Sequence, residues 1–180
     1  VDLSDPNAQD DIVVSELHIP KGKKVHFKIR SQDVLHSAYF PHFRAQMNCV
    51  PGMVTEFAFV PILTSEEYRA LPFMVEKVKK INELREAKSK ELVAKGLPAL
   101  DPYTFDYLLI CNKICGASHY NMQMKVIVDS PEDFKKWLSD KPTLVQEVKT
   151  ANAPKPAEGG VETDSTKSKD TAAVAKIAMK

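Results

Sequence analysis

Within residues 111–122 the chain places Cys111, Cys115, His119 and Met122 in the spacing C-x3-C-x3-H-x2-M. Two thiolates, an imidazole and a thioether make a soft donor set. Sulfur ligands favour copper and imidazole suits copper as well as zinc, whereas structural zinc sites are closed by cysteine and histidine without a thioether. The whole chain holds only 3 Cys, 5 His and 6 Met, so composition alone does not deliver such clustering. The pattern therefore points to copper, with buried structural sulfur or a disulfide as the bland alternative. A mononuclear blue-copper site takes one cysteine, two histidines and a weak axial methionine. Two cysteines on one short loop are instead placed to bridge a pair of metal ions. The loop offers one histidine, so a second comes from elsewhere. His36, within Asp33-Val34-Leu35-His36-Ser37, is the candidate.

Three segments in order extend the pattern: S-Q-D-V-L-H-S at 31–37, F-R at 43–44 with V-P-G-M-V-T at 50–55, and the loop at 111–122. Together they resemble the CuA domain of subunit II of haem-copper cytochrome c oxidases, over roughly residues 5–60 and 105–140. The resemblance implies that Cys111 and Cys115 are bridging thiolates and that His36 and His119 are terminal imidazole ligands. Met122 becomes the weak ligand of one copper, and Lys113 coordinates the other through its backbone carbonyl. At the Lys113 position the family usually has glutamate, whose side chain also helps bind magnesium at the contact with the catalytic subunit. A lysine side chain cannot take that part, so the magnesium link is in doubt while the carbonyl remains. His18, His26, His42 and Cys49 match no ligand position.

The same resemblance implies a cupredoxin-like fold and an electron-transfer role. Electrons would enter a dinuclear copper centre from cytochrome c or a membrane-bound c-type haem donor, then pass to haem in catalytic subunit I of a proton-translocating oxidase. The family stands on the periplasmic face of a bacterial inner membrane, held by an anchor that precedes this domain. No apolar run here approaches the ~20 residues that cross a bilayer, and the first residue is Val1, so a fragment or soluble portion of a longer chain is expected. Two alternatives have other signatures. The CuA domain of a nitrous oxide reductase goes with a large histidine-rich domain, and a thioredoxin-like copper chaperone needs βαβ alternation. A formal net charge of +1 gives no nucleic-acid surface.

The elements that must position these ligands read as mainly β, a Greek-key barrel or sandwich with a helical insertion and a short C-terminal helix. Strand signals lie at 11–14, 16–19, 23–31, 54–60, 107–111 and 124–129, rich in Val, Ile and Phe with turn residues between some of them. Residues 1–140 form the expected domain. Its insertion, 62–104, opens on a Thr64/Glu67 capping box, meets Pro72, then shows near-helical apolar spacing up to Gly96 and Pro98. Its charged face reads as solvated surface, with docking as the functional alternative. It holds none of the candidate ligands, so its excision is expected to spare the metal site. Ser130 and Pro131 open a helix whose Phe134, Trp137 and Leu138 share a face, so Trp137 reads as packing. Residues 141–180 read as linker and low-complexity disordered tail. No C-x-x-C-H follows, so electrons must come from a separate partner.

Overall fold

The computed structural model describes residues 5–151, and their architecture follows from alternation. Val25 and Phe27 face inward while His26 and Lys28 face out, which makes β2 (Val25–Ile29), paired antiparallel with β5 (Thr55–Phe59). The second sheet contains β1 (Leu17–Pro20), β3 (His36–Phe40), β4 (Ala45–Cys49), β6 (Tyr107–Ile110) and β7 (Gln123–Asp129), in the order β1-β7-β6-β3-β4. β1 lies parallel to β7, and the other pairings in this sheet are antiparallel. The chain switches sheet after β1, β2, β4 and β5. Aromatic rings join the sheets: Phe27 lies 5.0 Å from Phe40, and Phe40 meets Phe57 edge-on at 5.7 Å. Leu17, Ile19, Phe40, Phe105 and Val126 are at most 1% exposed and fill the space between. The expected mainly β fold is what the chain forms.

The insertion is two helices, α1 (Ser65–Arg69) and α2 (Pro72–Ala94). Thr64 accepts from the Glu67 amide and Glu67 accepts from the Thr64 amide, the reciprocal cap read from sequence. Pro72 sits in the first turn of α2, where its missing N–H costs nothing. The helix ends as Gly96 takes φ 74° and the Leu97 amide reaches back to the Leu92 carbonyl. The insertion is sewn to the sheet. Met74 is 1% exposed within the core, Val128 N–H donates to Ser65 Oγ at 2.9 Å, and Arg69 reaches the Phe105 carbonyl and Asp106. Its outer face carries local ion pairs such as Lys80–Glu76 and Lys90–Glu86, as expected for solvated surface. It joins strands of different sheets, so the described residues lack the βαβ alternation that a thioredoxin-like chaperone needs.

α3 (Pro131–Ser139) is capped by Ser130 and buries Phe134. Trp137 stacks on His18 with ring centroids 4.3 Å apart, so it packs as expected. Two expectations are corrected. Residues 11–14 form no strand although their composition favours one; they run beside α4, whose Leu144 amide donates to the Asp11 carbonyl. α4 (Leu144–Ala151) itself occupies part of the stretch read as linker, nucleated by reciprocal Thr143 and Gln146 caps. The tail from 152 onward lies outside the described residues.

Candidate metal centre

β6 delivers Cys111 as the first residue beyond its end, and β7 begins immediately after Met122. The loop between them closes on itself: the Cys111 amide donates to the Met122 carbonyl at 3.0 Å. A short 3-10 turn, His119–Asn121, follows Gly116, whose φ of 143° lies where an L side chain is strained. His36 comes from the start of β3, a strand hydrogen-bonded to β6 at Tyr39 and Ile110. Two strands of one sheet therefore supply the loop's first cysteine and the distant histidine.

The side chains form a continuous series. His36 Nδ1 lies 4.0 Å from Cys111 Sγ, which lies 3.8 Å from Cys115 Sγ, which lies 3.5 Å from His119 Nδ1. Met122 Sδ is 3.1 Å from Cys115 Sγ, and the Lys113 carbonyl oxygen is 3.2 Å from Cys111 Sγ. All six residues expected as ligands are thus brought together, and ligand atoms of His36, Cys111 and Cys115 lie within 4.8 Å of one another. The sulfurs are too far apart for a disulfide, which needs about 2 Å, and all three cysteines are free. The Lys113 side chain, by contrast, is exposed.

The two thiols are displaced in opposite directions. Burial works against a Cys111 thiolate, but hydrogen bonds from the Lys113 and Ser37 backbone and from the His36 and His119 rings outweigh it, pulling the group down to about 7. Burial and then the Cys111 neighbour push Cys115 up. For His36, burial opposes the charged ring, yet Asp33 and Cys111 together raise it. Asp33 is the residue that the reading of the sequence missed as a partner: its Oδ1 lies 2.8 Å from His36 Nε2. The available signal was a carboxylate three residues before a candidate ligand. The remaining histidines lie elsewhere, as expected. His18 pairs with Asp129, His26 with Glu56, and His42 packs edge-on against Phe105. Cys49 is buried opposite His36 across the β3–β4 pair, and burial raises its thiol.

No family model matches the chain. Among curated proteins it is 38% identical over 142 residues to alternative cytochrome c oxidase subunit 2 of Bradyrhizobium diazoefficiens, covering 78% of this chain and 37% of that protein. It is 29% identical over 127 residues to cytochrome c oxidase subunit 2 of Thermostichus vulcanus, covering 70% of this chain and 26% of the relative. The chain thus spans 37% and 26% of the lengths of these two relatives. Among solved structures, the periplasmic domain of subunit II of cytochrome oxidase from Bradyrhizobium japonicum aligns with TM-score 0.46 and 16% identity, covering 81% of this chain and 72% of that one. A haem-copper terminal oxidase dimer aligns with TM-score 0.40 and 19% identity, covering 64% of this chain and 52% of that one.

Proposed function

Because this chain belongs to the subunit II family of cytochrome c oxidases, we propose that it is the electron-transfer domain of such an oxidase, built around a dinuclear copper site. One observation carries the reading: two thiol sulfurs 3.8 Å apart, each with an imidazole Nδ1 of its own beside it. The donors fit a pair of ions. The Cys111 and Cys115 sulfurs would hold the ions, and His36, His119, Met122 and the Lys113 carbonyl would complete the donor set. Soft sulfur with imidazole selects copper over zinc here because a thioether joins the set.

Bound copper supplies one-electron transfer; the protein supplies a frame that does not rearrange. Cys111 and His36 sit at the ends of paired strands, and the loop is closed by its own backbone hydrogen bond. Ligands so held move little when the charge on the site changes, which keeps the barrier to electron transfer low. On this reading residues 1–140 are the CuA domain with 62–104 inserted, and 141–180 lead away from it. The domain takes electrons from cytochrome c or a membrane-bound c-type haem protein and hands them to haem in subunit I, where oxygen is reduced. It stands on the periplasmic face of a bacterial inner membrane. No helix among the described residues is long and apolar enough to cross a membrane. The exposed Lys113 side chain offers no carboxylate, and magnesium at the subunit contact has no ligand from this position.

Copper titration of the reduced chain tests the reading. Uptake should stop at two ions per chain, with Cys111 and Cys115 then unreactive to thiol reagents and Cys49 not required. Saturation at one ion contradicts it.

A further inference from the structure

His36 is the candidate ligand that reaches the loop from another strand, and both its ring nitrogens have neighbours. Nδ1 faces Cys111 Sγ, and Nε2 lies 2.8 Å from Asp33 Oδ1. The acceptor decides which nitrogen carries the proton. The partner of Nε2 is an aspartate carboxylate, which only accepts. Nε2 is then the donor, and in the neutral ring the Nδ1 lone pair points toward Cys111.

The turn that carries Asp33 is also tied down. Ser31 Oγ donates to the Val34 carbonyl and lies 3.4 Å from Asp33 Oδ1. Ser31 further forms a parallel bridge with Pro51, tying the turn at 31–35 to the segment after β4. The His36 side chain is only 18% exposed, so its ring has little freedom once Nε2 is engaged.

We propose that Asp33 is a positioning residue for the metal centre: its carboxylate accepts the His36 Nε2–H, locks the tautomer that offers Nδ1, and strengthens that nitrogen as a ligand. The inference rests on the dinuclear reading above. A carboxylate behind a ligating histidine fixes ring orientation and raises donor strength, and its loss costs about 10–100-fold in metal affinity. A more electron-rich ligand favours the oxidised centre, so Asp33 lowers the reduction potential.

The test compares the full chain with its Asp33→Ala and Asp33→Asn variants, each loaded with copper. Three quantities are read: copper affinity by competition with a chelator, potential by voltammetry, and the His36 Nε2–H resonance by 15N NMR of the diamagnetic reduced form. Asp33→Ala should bind copper about 10–100-fold more weakly, show a raised potential, and lose protection of the Nε2–H from exchange. Asp33→Asn keeps an acceptor oxygen without the charge, so it should retain the protected proton yet still show a raised potential. If both variants match the parent chain in all three readings while the parent holds two coppers, Asp33 is a bystander and this inference alone falls. A parent chain that binds no copper overturns the reading of the site and this inference with it.

Discussion

Met74 decides whether the helical insertion is part of the fold or an appendage. Its side chain is 1% exposed and belongs to the core cluster, against which Tyr68, Leu71 and Val78 of the insertion also pack. Met74→Ala removes the outer part of that side chain and leaves a void which well-packed neighbours fill only partly. Buried methionine truncations cost 2–5 kcal/mol, and full burial argues for about 3 kcal/mol. A folded unit of about 150 residues has an unfolding entropy near 0.3 kcal/mol/K, so Tm should fall by about 10 °C. Leu84 on the same helix is 73% exposed, so Leu84→Ala should stay within about 0.5 kcal/mol of the parent. Thermal unfolding of the metal-free proteins by circular dichroism reads both. Copper stoichiometry of folded Met74→Ala should be unchanged, since no candidate ligand lies within 62–104. A Met74→Ala loss below about 1 kcal/mol, indistinguishable from Leu84→Ala, would refute the view that the insertion completes the core.

Three further outcomes concern the site. In reduced, metal-free protein the Cys111/Cys115 pair should lose its first proton near pH 7 and its second above the ordinary thiol range. Because the Cys111 value is depressed on folding, the stabilisation it brings is present above the ordinary thiol pKa and is lost as pH falls through about 7. Alkylation rate against pH, read by mass spectrometry, checks this, and a first midpoint near 9 would contradict it. Lys113→Ala should keep both coppers, because only the backbone carbonyl lies against Cys111, and should lower the potential, because a positive charge near the site favours the reduced form. Voltammetry with a copper count decides, since an unchanged potential makes the side chain irrelevant and copper loss removes the carbonyl assignment. Met122→Leu should retain both coppers with a shifted potential, as a weak axial thioether tunes rather than holds a site, whereas Cys115→Ser should abolish the paired state; copper analysis and absorption spectra distinguish the two.

The loop ligands were legible because their chemistry is local: four donors within 111–122 declare themselves by type and spacing. The second histidine could be offered as a candidate at 31–37, but its place beside the loop could not be read there, since nothing in that segment says that β3 pairs with β6. The hairpin β3–β4 escaped periodicity for a physical reason. β3 buries Ser37 and Ala38 in succession, and Ser37 tolerates it because Gln46 donates to its hydroxyl. Its turn is made by Arg44 at φ 52°, a position where glycine or asparagine would have signalled the reversal. Residues 11–14 misled in the opposite direction, having strand-forming side chains without a strand to pair with. The insertion showed its caps in sequence but not its attachment, which depends on Met74 and Ser65 meeting a sheet distant in sequence.

On the proposed function, two thiolates would couple a pair of copper ions into one redox centre. Electron paramagnetic resonance of the oxidised, copper-loaded chain tests it most directly. The spectrum should show hyperfine structure from one unpaired electron shared equally by two copper nuclei, lost when either Cys111 or Cys115 is replaced by serine. A spectrum confined to a single copper nucleus would contradict it.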